Sequence, residues 1–380
     1  MNLQALSDWS GSSEELFDRL THELAAAGRW HELFEARLIE ARARLGLSLA
    51  ESPPLDELPE PARTTLENDY TTACREVGGL LLDAGRLGEA WRYLRPAGEK
   101  RMLQAALASI VPNDENIENL IELALYEGID TERGYGWMLG HFGTCNAITT
   151  LEGLAPQLPL SDLVACAAVL VRHVDRELRE NLRAHIAQTE GTTPATTATV
   201  LELMEGRDWL FDAQASHVDA SHLAATVRFA RVLLQPPLVK LALGLCDYGA
   251  RLDEVLQYAG DPPFEQLYPS HQHFFQATLG LEPQAAIAYF RERADQSDPA
   301  TEGTAALETL LVLLDRTGDA AAAMELYETE VPDDAHLSPF APRLVDLAAK
   351  SQDWDRYESI LRTRDDPVGL AIGLLSRHRS

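Results

Sequence analysis

The feature that most constrains the fold is a long amphipathic helix pattern between Ser161 and Ile186. Its apolar residues recur three and four positions apart, which places them on one face of an α-helix. They are Leu163, Ala167, Leu170, Val174, Leu178, Leu182 and Ile186. Ser161 is expected to cap the helix, and Gly191 and Pro194 are expected to end it. Similar patterns dominate the chain and alternating strand patterns are nearly missing, so the sequence predicts an all-α protein.

A turn that recurs between pairs of apolar helices is the second feature. LAAAGRWHELFEARL around Gly28 resembles LLDAGRLGEAWRYL around Gly85. LLDRTGDAAAAMELY around Gly318 and LAAKSQDWDRYESIL around Gln352 follow the same plan. Glycine permits the left-handed conformation that reverses the chain after a helix. Each of these segments therefore predicts an antiparallel helix hairpin.

The two C-terminal turns, at Gly318 and Gln352, lie about 34 residues apart, the period of a tetratricopeptide repeat. These segments resemble tetratricopeptide-type helical repeats, although the consensus Trp, Leu-Gly, Tyr and Pro at fixed offsets is missing. The resemblance implies stacked antiparallel hairpins in a curved repeat-type superhelix, with a closed α/α toroid as the alternative. It also implies a concave groove for a protein segment, but it carries over no particular contact residue.

The repeat-like pattern is uneven along the chain, and this suggests three segments. Residues 1–110 are predicted to form an N-terminal helical-repeat segment. Residues 111–290 are predicted to form a divergent central helical segment that carries a candidate ligand or partner surface. Residues 291–380 are predicted to form tetratricopeptide-like hairpins.

Charge and composition restrict the classes of partner. The net charge of -28 disfavours nucleic acid and anionic membranes and favours a protein partner of basic character. The longest apolar helical stretch, LVACAAVLV, is far shorter than the roughly 20 residues that span a bilayer. Four scattered cysteines without CxxC spacing argue against a disulfide scaffold or a zinc knuckle. Because the chain also starts without a secretory-signal pattern, we expect a cytoplasmic protein without a cofactor.

A glycine-rich stretch, RGYGWMLGHFGTCN, contains the spacing GxGxxxG at Gly134, Gly136 and Gly140. A phosphate-binding turn of this kind needs a preceding strand, whereas the preceding NLIELALYEG has a helical pattern. Gly136, Gly140 and Gly143 would share one helix face. We therefore expect them to serve close helix packing rather than nucleotide binding.

The central segment carries the candidate functional residues, which are histidines, carboxylates and one tyrosine. They are His217, Asp219, His222, Asp261, Glu265, Tyr268, His271 and His273. On one helix, His217 and His222 would point about 140° apart, so they share a site only if the helix begins between them. Asp219 or Ser221 is a natural N-cap there. Asp219 is therefore expected to accept backbone N–H groups rather than to act as a ligand or base.

Two functions remain open at this surface. If the pair His217 and His222 met the pair His271 and His273, a histidine-lined pocket could serve a metal-dependent or acid/base enzyme. Asp219 or Glu265 would then be the base. No zinc-protease motif or nucleophile elbow is present. The leading interpretation is therefore an intracellular helical-repeat scaffold that binds a protein or peptide.

Overall fold

The computed structural model describes residues 9–49 and 55–377. The structure is 72% helical, and none of these residues lies in a strand. The helices pack in neighbouring pairs, so the predicted all-α class is confirmed. The chain divides into two compact units, Met1–Trp137 and Met138–Ser380.

The first unit stacks its helices in chain order. Its helices are α1 (Ser13–Ala26), α2 (Trp30–Arg44), α3 (Glu60–Asp83), α4 (Leu87–Leu94), α5 (Lys100–Ser109), α6 (Ile117–Ile121) and the start of α7 (Thr131–Leu154). Helix α1 packs on α2, α2 on α3, and α3 on α4. Their shared core contains Leu24, Leu33, Val77, Leu81 and Leu94. Each apolar face is thus buried by the next helix along the chain.

The second unit contains the remaining helices. These are α8 (Leu160–Glu190), α9 (Val200–Met204), α10 (Ala220–Phe229), α11 (Pro236–Gly249), α12 (Leu267–Thr278), α13 (Pro283–Gln296), α14 (Pro299–Glu302), α15 (Ala305–Arg316), α16 (Ala320–Thr329), α17 (Leu344–Ser351), α18 (Trp354–Thr363) and α19 (Pro367–Arg377). Three 3₁₀ segments, Asp208–Gln214, Ala230–Val232 and Glu254–Leu256, lie between them. From α15 onward each helix packs on its successor, whereas α8 contacts α9, α10 and α11 together.

Helix α8 is the long helix that the sequence predicts. Six of the seven stripe residues are fully buried, and Leu163 is half-buried. The helix ends at Gly191, which adopts the left-handed conformation at φ 70°. The predicted start is wrong by two residues, because Pro159 precedes the first helical residue and Ser161 lies inside the first turn. Proline fits this place because it has no N–H group to satisfy.

The recurring turns share one backbone conformation. Gly28, Gly85 and Gly318 all have positive φ, and the residue after each donates its N–H to a carbonyl five residues back. Gln352 adopts the same left-handed conformation at φ 59°, although it carries a Cβ atom. Its side-chain amide donates to the carbonyl of Ala349 at 2.5 Å. The predicted helix hairpins at these turns are therefore confirmed.

The glycine-rich stretch lies within helix α7, which is interrupted at Gly143, where φ is 81°. A strand does not precede it, so the phosphate-turn geometry is not formed. The expected packing role falls on a different glycine. A Cβ atom at Gly134 would lie 2.6 Å from the backbone nitrogen of Leu125, whereas Gly140 and Gly143 face open space. The expectation of close packing at Gly140 and Gly143 is thus wrong.

Two expectations about targeting concern different parts of the chain. Among the described helices, none combines the length and the apolarity that a membrane crossing requires. The secretory-signal argument depends on the first residues of the chain, and residues 1–8 lie outside the described part.

Replacing Gly134 with alanine tests the close approach inside the first unit. We expect G134A to lower the free energy of unfolding by about 2 kcal/mol or more, because the backbone at Leu125 must move. The matched control is G140A, which adds a methyl group on the same helix in open space. It should raise stability by up to about 1 kcal/mol. Urea unfolding followed by circular dichroism measures both, and similar effects of the two variants would contradict this packing.

Candidate functional site

The entrance to helix α10 holds three of the predicted site residues. The Asp219 carboxylate accepts the backbone N–H groups of Ser221 at 2.8 Å and His222 at 3.2 Å. The Ser221 hydroxyl also donates to it, and these bonds hold the pKa of Asp219 below its usual value. The capping prediction for Asp219 is confirmed. His217 lies before the helix and His222 in its first turn, as expected.

His217 belongs to a hydrogen-bonded chain that the sequence does not reveal. Its Nε2 lies 2.8 Å from Nδ1 of His185, and its Nδ1 lies 3.0 Å from the hydroxyl of Tyr248. The backbone N–H of His217 also donates to that hydroxyl at 2.7 Å. The tyrosine proton is therefore free to point at Nδ1 of His217. The network then assigns the proton of His217 to Nε2, which donates to His185.

This chain joins three parts of the second unit. His185 lies on α8, Tyr248 lies on α11, and His217 lies in the segment that enters α10. Asn181 on α8 adds a hydrogen bond to the carbonyl of His217 at 2.8 Å. His217 is only 8% exposed, and burial together with the nearby His185 lowers its pKa to about 4. The neutral imidazole therefore fits a structural junction near neutral pH.

The second histidine pair lies on helix α12 and points in different directions. Two residues apart on a helix correspond to about 200° of rotation. His271 is fully buried, and its Nδ1 donates to the carbonyl of Leu267 at 2.6 Å. His273 is partly buried and stacks on Tyr289, with 4.5 Å between ring centroids. Burial, followed by the charge of Arg293, lowers the pKa of His273.

An aromatic cluster surrounds His271. The ring of Phe264 lies 4.3 Å from the imidazole, and the guanidinium carbon of Arg231 lies 4.8 Å from the centroid of Phe264. Burial and the Arg231 charge lower the pKa of His271 to about 3. Nε2 of His271 and the hydroxyl of Tyr268 are buried and find no hydrogen-bond partner among the described residues. Burial also raises the pKa of Tyr268.

The two predicted carboxylates lie in the loop before α12. Asp261 and Glu265 are both exposed, and Glu265 approaches Nε of Arg293 at 3.6 Å. Phe264 is buried between them, so this loop packs against the protein core. Neither carboxylate is hydrogen-bonded to a histidine in the part of the chain that the structure describes.

The eight predicted residues therefore occupy separate environments. Across residues 9–49 and 55–377, no three histidine, cysteine, aspartate or glutamate side chains are placed to hold a metal ion. His217 is bonded to Tyr248 and His185, whereas His271 is bonded to its own helix and packed against Phe264. A shared four-histidine pocket would require the two imidazoles to face one cavity.

Sequence reasoning missed His185, Tyr248 and Arg231. His185 directly precedes the stripe residue Ile186, and its position beside the apolar face is the single local signal of burial. Tyr248 and Arg231 carry no comparable signal, because their partners, His217 and Phe264, come from distant segments of the chain. Comparison with known proteins adds no relative: no protein family, no curated protein and no solved structure matches this chain.

The lowered pKa of His217 predicts a loss of stability in acid. Below pH 6.5 the unfolded chain protonates this imidazole, whereas the folded protein resists protonation down to about pH 4. The associated stability is complete above pH 6.5 and declines as the pH falls between these values, by at most about 3 kcal/mol. Denaturant unfolding from pH 7 to pH 4 should show a shallower decline in H217N. A decline equal to that of the wild type would refute the assignment.

Removing the hydroxyl of Tyr248 tests the hydrogen-bonded chain directly. Y248F leaves the backbone N–H and Nδ1 of His217 without their buried partner, which costs about 1–3 kcal/mol. The control is Y258F, because Tyr258 is 50% exposed. Thermal unfolding of the two variants should show a clear loss for Y248F alone, and equal midpoints would contradict the network.

Proposed function

We propose that this protein is an intracellular helical-repeat scaffold that binds a basic-flanked apolar segment of a partner protein through helix α19. The observation that carries the proposal is an exposed apolar stripe on this helix, formed by Val368, Ile372 and Leu375. We name these three residues the α19 face. The resemblance to tetratricopeptide-type repeats supports the proposal, since stacked hairpins commonly bind protein segments. The buried thiols Cys74 and Cys246 suit a reducing compartment.

Unlike an ordinary amphipathic helix, helix α19 turns its larger apolar residues to solvent. Its small residues face the protein, because Tyr357 contacts Gly373 and donates its hydroxyl to the carbonyl of Gly369 at 2.7 Å. A Cβ atom at Gly373 would collide with that tyrosine ring. Gly373 is the buried residue of the helix, and larger apolar residues are turned outward. Close glycine packing on α18 thus fixes which side is presented.

The α19 face has the spacing of a docking helix. Val368, Ile372 and Leu375 are 68%, 47% and 66% exposed. They occupy positions i, i+4 and i+7, which form one stripe on a helix. Such a stripe is the usual set of anchors for a helix that lies in an apolar groove or against a second helix. Exposed apolar groups that form a contiguous stripe favour an interaction site.

The charges near this stripe favour a partner with lysine or arginine. Asp355 has a side chain that is 94% exposed, although one oxygen lies 3.9 Å from a terminal nitrogen of Arg377 at the end of α19. Asp365 and Asp366 are exposed just before α19. The whole chain carries a net charge of -28. Carboxylates beside an apolar anchor attract basic flanks and repel acidic ones. We therefore propose a partner segment in which lysine or arginine residues flank the apolar anchors.

The enzyme alternative has weaker support from the geometry. It needs the two histidine pairs in one pocket, but His217 is occupied by His185 and Tyr248. His271 is packed against Phe264 inside the core. Binding through an exposed face needs no such convergence, so we favour the scaffold.

A designed peptide tests the proposal. The probe is a labelled 14-residue amphipathic helix of leucine and lysine, compared with the same peptide in which glutamate replaces lysine. Fluorescence anisotropy should show binding of the lysine peptide, at least about tenfold weaker binding of the glutamate peptide, and weakening with salt. I372E and L375E should abolish binding without unfolding the protein, because both side chains are exposed.

The matched control is V255D, since Val255 is also an exposed valine, at 70%, but belongs to the 3₁₀ segment Glu254–Leu256 rather than to the α19 face. This variant should bind the lysine peptide as the wild type does. Equal binding of the two peptides, or binding that survives I372E and L375E, would overturn the proposal. Light scattering adds a further test: a wild-type dimer that L375E converts to a monomer would assign the face to self-association instead.

A further inference from the structure

Arg231 is a cation that forms no direct ion pair with a carboxylate among the described residues, although the more distant charge of Asp261 favours its protonated form. It lies in the 3₁₀ turn Ala230–Val232 after α10, where its Nε donates to the carbonyl of Arg228 at 3.0 Å. Within the described part of the chain its guanidinium forms no ion pair, and its other contact is the ring of Phe264. Burial lowers its pKa to about 10. The bond to Arg228 accounts for Nε, and no described residue accepts a hydrogen bond from the terminal nitrogens.

Arg231 lines a cavity of about 290 Å³ in the second unit. Its wall includes Arg228, Phe229, Arg231, Pro263, Glu308 and Phe340. Arg228 is paired with Glu152 at 3.2 Å, so its charge is already balanced. The cavity therefore combines a largely apolar wall with one guanidinium that has no direct ion pair among the described residues. Such a combination of an apolar pocket and a few placed polar groups is typical of small-molecule sites.

Glu308 is the carboxylate in this wall, and its hydrogen bonds are occupied elsewhere. One oxygen accepts from the backbone N–H and the hydroxyl of Ser338, at 3.2 Å and 2.5 Å. The other oxygen accepts from the hydroxyl of Thr304 at 2.7 Å. Glu308 thus anchors the loop at Ser338 rather than neutralising Arg231. Its negative charge would also repel a phosphate dianion more than a carboxylate monoanion.

We propose that this cavity binds a small organic monocarboxylate with an apolar body. The two terminal nitrogens of Arg231 suit the two oxygens of a carboxylate, because the guanidinium fork matches that geometry. Phe229, Pro263 and Phe340 would contact the apolar body. The volume corresponds to roughly ten water molecules, which fits a compact acid rather than a peptide. This site is separate from the α19 face and does not depend on it.

Calorimetry with a defined probe tests the site. The probe is 3-phenylpropanoate, compared with the uncharged 3-phenylpropanamide and with inorganic phosphate, all added to the full chain. We expect the carboxylate to bind at least about tenfold more tightly than either of the others. R231M should remove that preference, whereas R231K should retain part of it because the charge remains.

Two further variants keep the test decisive. R251M is the matched control, since Arg251 stacks on Phe211 at 4.5 Å but does not line this cavity. It should bind the carboxylate as the wild type does. A305F places a ring at the cavity wall and should block binding while Arg231 remains, which settles the matter if R231M fails to fold. Equal binding of acid and amide, no binding of the acid, or unchanged acid binding in R231M or A305F would overturn the proposal.

Discussion

The second unit depends on the burial of one face of helix α8. This helix is 31 residues long, and the residues from Ala167 to Ile186 on its stripe are removed from solvent by α9, α10 and α11. Burying large aliphatic side chains contributes about 1.5–3 kcal/mol each before the loss of chain entropy. Since no single neighbour covers the whole face, three helices must pack on it together. This requirement separates the centre of the chain from the sequential hairpins that follow.

Packing around α8 also determines whether the polar groups in the core find hydrogen-bond partners. His217 finds two partners there, so burial costs it little while it is neutral. Among the described residues, one nitrogen of His271 has a hydrogen-bond partner and the other has none, and neighbouring Arg231 forms no direct ion pair there. Buried polar groups are normally paired. The polar groups around Arg231 thus have fewer hydrogen-bond partners than those around His217. The cavity beside Arg231 is therefore a better candidate for a ligand site than the histidines.

Features that depend on hydrogen bonds between residues close in the chain could be predicted from the sequence. Asp219 caps α10 because the N–H groups it accepts follow within three positions. Gly318 and Gln352 share a turn conformation because a helix end needs a left-handed residue there. Ser161 was misplaced as a cap because Pro159 can begin the helix without donating a hydrogen bond. Gly140 was misplaced as a packing residue because helix periodicity does not reveal which face meets a neighbour.

By itself the sequence determined the all-α class, the long stripe of α8, the hairpin turns and the cap at Asp219. These depend on periodicity and on bonds between near neighbours in the chain. Only the tertiary structure decided that His217 pairs with His185 and Tyr248, that Arg231 faces a cavity, and that α19 turns its glycines inward. Their partners come from other helices, and the choice among them follows from how rigid helices fill space together. A residue pattern encodes which face is apolar, whereas packing decides which group that face meets.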